Sequence, residues 1–217
     1  CMGYAMEYKW VKKEKEFVDK LKFEREEIAS GKTFIAGMDE VGRGPLAGSV
    51  CVCCVIMPLD DIIDGVDDSK KLSEKKRNEL AEKIKEKATC YNICMVDEKT
   101  IDEINILEAT KLCMKNAVMG LSLKPDIVLV DAISKLDVDV PIRGIVKGDY
   151  LSYSIGCASI LAKVTRDDLM VQYSKQYGEY GFERNKGYGT KEHIEALKKY
   201  GPCKIHRRSF LKFLEEK

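Results

Sequence analysis

The chain has 217 residues, of which 45% are hydrophobic and 34% charged, with 37 Lys/Arg against 36 Asp/Glu for a net charge of +1. That length fits one large domain, or a core domain with a small appendage, and is enough to bury a substantial core. No apolar run approaches the roughly 20 residues of a membrane helix, and the start lacks the charged-then-apolar order of a secretory signal, so a cytoplasmic protein with no membrane partner is expected.

In chain order, residues 7–29 are rich in Lys and Glu, with apolar positions at Trp10, Phe17, Leu21 and Ile28. This single stripe predicts a helix docked on the core, or a leader poorly ordered at its start, within an N-terminal helical leader over 1–30. Strands are predicted at about 33–39 and 47–57, paired as a hairpin. Asp67-Asp68-Ser69-Lys70-Lys71-Leu72-Ser73 then reads as a turn into a helix, with Ser73 as N-cap and Leu80, Ile84 and Ala88 as its buried stripe. A third strand over 89–97 and a helix over 100–121 follow. Pro125 interrupts the chain before Asp126-Ile127-Val128-Leu129-Val130-Asp131, an apolar run of parallel-strand type. A further strand, Ile142 to Val146, ends at Lys147-Gly148-Asp149, and a long helix runs from about Ser152 to Tyr177. Strands first, then strands alternating with helices, predict an α/β layered domain with a mixed sheet over 31–178. A helical extension over 179–217 completes the chain.

The extension is basic. From Arg184 to Lys212 there are nine Lys/Arg against Glu192 and Glu195, a local excess of +7 of the kind that marks contact with phosphate backbones. Nine cysteines could suggest disulfides, but Cys51, Cys53 and Cys54 lie inside one apolar run and Cys113 and Cys157 in predicted helices. Most are expected to be small buried hydrophobes in a reducing compartment. Cys90 and Cys94 have no matching second pair or nearby histidine, which argues against zinc.

Asp39, Asp131 and Asp149 each follow a strand-like run, where neighbouring strands of an α/β sheet bring distant residues together. With Glu40 they would make a cluster of four carboxylates, which persists when cations neutralise it. That many hard oxygen ligands suit Mg²⁺ or Mn²⁺. Two such ions about 3.5–4 Å apart can activate a water and stabilise the leaving oxygen of a phosphodiester. Any one of these aspartates, taken alone, is as well explained as a turn former or helix cap. Side chains alternate across a strand, so Asp39 and Glu40 can serve one site only if the chain twists there, which the following glycine turn permits. Asp167 and Asp168 compete for the fourth position but lie well inside a helix, so Asp149 is preferred. Gly42-x-Gly44-x3-Gly48 has a superficial likeness to a dinucleotide fingerprint, but a strand rather than a helix follows it and its spacing is one residue too long. The two histidines, His193 and His206, both lie in the basic tail, where His206 reads as a packing or phosphate-fixing group rather than a general base.

The stretches IAGMDEVGRGPLAG (35–48), DDSKKLSEKKR (67–77), IVLVDA (127–132), VKGDYLSYSIGCASILAKVTRD (146–167), NKGYGTKEH (185–193) and HRRSF (206–210) resemble, in order, bacterial ribonuclease HII of the type 2 ribonuclease H family. Gly-Arg-Gly after the Asp-Glu pair favours type HII over HIII. The resemblance implies a ribonuclease H-like mixed β-sheet flanked by helices, hydrolysis of RNA in RNA/DNA hybrids, and cutting 5′ of ribonucleotides embedded in duplex DNA to leave 3′-hydroxyl and 5′-phosphate ends. It carries the metal-binding and catalytic role to Asp39, Glu40, Asp131 and Asp149, with two Mn²⁺ or Mg²⁺ ions. Substrate binding falls to Gly42, Arg43, Gly44, Lys70 and Tyr188: the Gly-Arg-Gly turn reads the 2′-hydroxyl and Tyr188 faces the sugar on the DNA side of the junction. The implied partners are the hybrid and ribonucleotide-containing duplex DNA, and a monomer is expected. A 2′-hydroxyl is the local mark separating RNA from DNA, so it must be read by close hydrogen bonds. A nuclease or strand-transferase of the same fold acting on DNA, and a non-catalytic hybrid-binding module, are the competing readings.

Overall fold

The computed structural model describes residues 18–131 and 135–214. The chain enters through a turn into a short helix, α1 (Lys22–Ala29), then forms the antiparallel pair β1 (Ile35–Val41) and β2 (Val50–Ile56). Helix α2 (Glu74–Lys87) leads to β3 (Cys90–Val96), which adds antiparallel to β2, and α3 (Glu98–Met119) leads to β4 (Ile127–Asp131). Strand β5 (Ile142–Ile145) completes a mixed sheet of order β3-β2-β1-β4-β5, with β4 parallel to both β1 and β5. A single helical turn, α4 (Gly148–Leu151), precedes the long α5 (Tyr153–Gln176); the tail adds α6 (Phe182–Asn185), α7 (Lys191–Tyr200) and short 3₁₀ turns.

The period-2 pattern divides the core between the two faces of the sheet. Cys51, Cys53 and Val55 meet Leu80 and Ile84 of α2 and Cys157, Ile160 and Leu161 of α5 on one face. On the other, Ala36, Met38, Val52 and Cys54 meet Ala109, Cys113, Met114 and Ala117 of α3. The five cysteines at 51, 53, 54, 113 and 157 are buried free thiols that act as small core residues. Ser73 caps α2 by accepting from the Lys76 N–H, as its position before the apolar stripe predicts.

Two helical expectations need correction. The described part of the predicted 7–29 helix is helical only from Lys22; residues 18 and 19 are irregular, Lys20 and Leu21 form a turn, and residues 7–17 lie outside the described residues. Here Lys20 is tied to the loop before α2 by a half-exposed ion pair to Asp67 at 2.7 Å. The 100–121 helix is two helices meeting at Asn105, which adopts φ 69° and accepts the N–H groups of Leu107 and Glu108. Its side chain is thus the cap of the second half, a competition that short polar side chains bring into helices.

Residues of the tail pack on α5 and on the segment after β1. Ala47, Met170, Tyr180, Phe182, Leu197 and Ile205 share one apolar cluster, and Ala47 bridges antiparallel to His206.

Candidate active site

The site begins with a mismatch in strand length. β1 stays paired to β2 through Val41, whereas its parallel pairing with β4 ends at Met38 opposite Val130. The chain leaves β1 toward β2 and leaves β4 toward β5, so their carboxyl ends sit at a topological switch point, where α/β sheets leave a crevice. Asp39, Glu40 and Asp131 lie there. Gly37 lets the first turn of α5 press on β1: a Cβ at Gly37 would stand 2.1 Å from the Ser154 carbonyl carbon and 2.5 Å from the Ile155 nitrogen. Asp39, two residues on, shares that face.

Asp131 serves twice, because its Oδ1 accepts the Gly148 N–H at 3.1 Å. That bond anchors the start of α4 just after Lys147, which turns through φ 58°, and α4 carries Asp149. Asp149 therefore reaches the site from a helical turn after β5 rather than from the strand end itself.

Electrostatically the four carboxylates are neighbours. Burial holds the Asp39 carboxyl well above the usual range, and Glu40, Asp149 and Asp131 push the same way against the Ser159 hydroxyl. Glu40 is raised first by burial and then by Asp131, with the Arg43 guanidinium opposing. Asp149 is raised by burial, then by Asp68 and Asp131, with Lys70 opposing. Asp39 is 7% exposed and Asp149 8%. Among the described residues no three His, Cys, Asp or Glu side chains are drawn together tightly enough to hold an ion as they stand. A cation nevertheless fits this donor set: Glu40 Oε2 is buried with no hydrogen-bond partner, an acceptor of the kind a cation satisfies, and repulsion among the carboxylates is what bound cations relieve.

The residues expected to bind substrate surround these carboxylates. Arg43 leans back so that its Nη1 lies 3.7 Å from Glu40 Oε1. Lys70, 80% exposed along its side chain, has its Nζ 3.9 Å from Asp149 Oδ2. Gly44 and Tyr188 face each other: a Cβ at Gly44 would stand 3.7 Å from Tyr188 Cε1, and Tyr188 is 41% exposed. Gly42, at φ +89°, cannot be replaced cheaply, because a Cβ there would come within 2.2 Å of Arg166 Nε.

The structure also brings in two residues that the sequence reading passed over, Ser159 and Asp68, and gives the two tail histidines their place. Ser159 faces Asp39 and hydrogen-bonds Ser69 at 2.9 Å; its signal was a lone hydroxyl in the apolar run Ala158-Ser159-Ile160-Leu161. Asp68, beside Lys70, is a further carboxylate near Asp149. His193 and His206 form a directed chain. The Cys203 N–H donates to His206 Nδ1 at 2.9 Å, the two Nε2 atoms lie 2.9 Å apart, and His193 Nδ1 lies 2.8 Å from the Tyr188 carbonyl. His206 must therefore carry its proton on Nε2 and give it to His193 Nε2, leaving His193 Nδ1–H for Tyr188. The pair is a buried packing element that holds the Tyr188 turn. Of the tail's basic residues, Arg207 is fully buried, and Arg184 pairs with Glu183 and Glu192, so fewer of these charges face solvent than the sequence count suggests.

The family model described as Ribonuclease HII matches residues 36–213. This chain belongs to the ribonuclease HII family. A curated Ribonuclease HII of Caldicellulosiruptor saccharolyticus is 56% identical over 197 residues, covering 90% of this chain and 96% of that protein. One from Clostridioides difficile is 53% identical over 203 residues, covering 93% and 80%. Among solved structures, ribonuclease H2 from Pyrococcus horikoshii matches with a TM-score of 0.71 at 30% identity, covering 85% of this chain and 98% of that one. The ribonuclease HII of Archaeoglobus fulgidus, solved in complex with PCNA, matches at 0.73 and 28%, covering 84% and 97%. A ribonuclease HIII in complex with Mn²⁺ matches at 0.61 and 18% over 77% of this chain and 63% of that one, a likeness of fold. The protein is thus a ribonuclease H enzyme: an endoribonuclease acting on RNA–DNA hybrids and requiring a divalent metal. No helix among the described residues is long and apolar enough to cross a membrane.

Proposed function

We propose that this ribonuclease HII cuts 5′ of ribonucleotides embedded in duplex DNA with two divalent ions, Mn²⁺ or Mg²⁺, leaving 3′-hydroxyl and 5′-phosphate ends. Its task would be to remove misincorporated ribonucleotides and RNA primers. The carrying observation is that one crevice at the carboxyl ends of β1 and β4 gathers Asp39, Glu40 and Asp131, with Gly44, on the turn that continues β1, facing Tyr188 from the tail. Cutting groups and junction-reading groups are thereby kept in fixed relation.

Asp39, Glu40, Asp131 and Asp149 would hold the ions. Bound there, divalent ions supply Lewis acidity and a nucleophilic water at neutral pH. The chain's own groups do the rest. Ser159 orients Asp39, and Asp131 fixes α4 and so the reach of Asp149. Arg43 is poised to leave Glu40 for a substrate phosphate, a stronger bidentate partner. The close backbone at Gly44 admits a ribose edge, and the Tyr188 ring beside it is a surface on which a deoxyribose packs and a second hydroxyl would clash.

The test is a DNA duplex with one embedded ribonucleotide, incubated with Mn²⁺, Mg²⁺ or chelator and mapped to the nucleotide. A metal-dependent nick on the 5′ side with the stated ends is expected. Cleavage confined to continuous hybrids, or unaffected by chelator, would overturn the proposal.

A further inference from the structure

Two arginines that the proposed chemistry does not use are fully buried beneath the Gly-Arg-Gly turn. Arg207, from the tail, donates from Nε to the Gly48 carbonyl at 2.9 Å, from Nη1 to that of Arg43 at 2.9 Å and from Nη2 to that of Gly42 at 2.6 Å. Arg166, from α5, donates to the carbonyls of Ser49, Lys186 and Ala47 at 2.9, 2.9 and 3.1 Å. Among the described residues all these partners are neutral backbone oxygens. Burial and the neighbouring Arg166 lower the proton affinity of Arg207 to about 9, so it remains a cation at neutral pH; burial lowers that of Arg166 as well, and a guanidinium keeps its proton in proteins. Glu98 and Asp102 favour the Arg207 charge and Asp167 that of Arg166, but among the described residues neither arginine makes an ion pair, and two buried positive charges close enough to oppose one another are costly to a fold, so their placement calls for a use.

Peptide geometry supplies one. Every peptide bond described is trans, so each carbonyl points opposite to the N–H of the residue that follows. With the Gly42 and Arg43 carbonyls turned in to Arg207, the N–H groups of Arg43 and Gly44 turn outward. Neither has an acceptor among the described residues. Two successive outward amides form a concavity that binds an anion or a hydroxyl oxygen, and here two guanidinium charges stand behind it. Arg166 extends the arrangement to the facing turn, since Lys186, whose carbonyl it holds, lies two residues before Tyr188. A lysine could not substitute, because one ammonium cannot span three carbonyls as the planar fork does.

We propose that Arg166 and Arg207 are positioning residues for junction recognition: they aim the Arg43 and Gly44 amides at the ribose 2′-oxygen and adjoining phosphate. This rests on the junction reading above. Neither arginine touches the substrate.

The experiment measures affinity, by fluorescence anisotropy with Mg²⁺ present, in an Asp39→Asn background that holds the duplex uncut. One duplex carries a single ribonucleotide and its control is all DNA. Arg207→Lys and Arg166→Lys should each reduce the ribonucleotide preference by about tenfold while changing affinity for the all-DNA control by less than about twofold. Circular dichroism and thermal melting verify the fold. An Arg207→Lys protein that keeps the preference, or that loses affinity equally for both duplexes, overturns the inference alone. No preference in the arginine-intact protein overturns the junction reading as well. Should the variants fail to fold, ¹⁵N amide shifts of the otherwise unaltered Asp39→Asn protein decide. Arg43 and Gly44 should shift with the ribonucleotide duplex and not with the control, and equal shifts with both overturn the inference.

Discussion

Asp39→Asn separates the cost of the candidate metal site from its use. Asp39 is 7% exposed, and desolvation, Glu40, Asp149 and Asp131 all disfavour its charge, against one hydroxyl that favours it. Asparagine has the same shape and can still meet Ser159, but brings no charge. Removing one buried like charge from such a cluster should stabilise the metal-free protein by about 1–3 kcal/mol. For a chain of this size that raises Tm by roughly 3–9 °C. Millimolar Mg²⁺ or Mn²⁺ should then reverse the order, because an ion that binds only the folded state stabilises it by mass action and the variant has lost one of the four proposed donors. The assay is differential scanning calorimetry of both proteins in chelator and in each metal, read beside the cleavage assay, in which the variant should be inactive. A variant less stable than the parent in chelator would refute the reasoning. So would a metal-induced rise in Tm as large in the variant as in the parent, which would place the ion away from Asp39.

Two further outcomes follow from the packing around the site. His206 is 1% exposed, and burial, then the adjacent His193, pushes its imidazole down to about 4, whereas an unfolded histidine titrates near 6.5. Between those values the unfolded chain binds a proton that the folded chain refuses. This contribution is therefore complete above about pH 6.5 and is lost as pH falls, up to about 3 kcal/mol. His206→Gln should flatten the acid limb of stability in urea melts at a series of pH values, and an unchanged limb would remove the histidine chain as its cause. Gly37→Ala would set a methyl 2.1–2.5 Å from backbone atoms of Ser154 and Ile155, which can yield only if α5 lifts off β1. A loss of about 3 kcal/mol or more is expected in urea unfolding, with reduced activity, since Asp39 shares that face. A loss under about 1 kcal/mol would show that the helix gives way freely.

Much of this architecture was legible because it rests on local rules. An apolar run ending in a carboxylate placed Asp131 at the end of β4 and Asp39 near the end of β1, which continues two residues further to Val41, and each observed strand lies within about three residues of its expected bounds. Ser73 before Leu80 and Ile84 was a readable cap and stripe. The pairing of Gly44 with Tyr188 was not readable from spacing, since it depends on a tail segment folding back on residues 46–48, and only the family resemblance placed both at one junction. The break at Asn105 was likewise hidden, because neither strong helix breaker stands there and one amide side chain decided the matter.

The sequence by itself determined which chemistry was affordable: hard oxygen donors at strand ends, a turn with room for close backbone approach, and core stripes to hold them apart. Tertiary structure decided what became of the charges. Arg207 and Arg208 are neighbours in a basic tail, yet Arg207 lies buried against the carbonyls of Gly42, Arg43 and Gly48 while the Arg208 guanidinium stays at the surface against the Pro202 carbonyl. Composition registers both alike, because a charge's worth is set by the water and partners around it, and those come from parts of the chain far away in sequence.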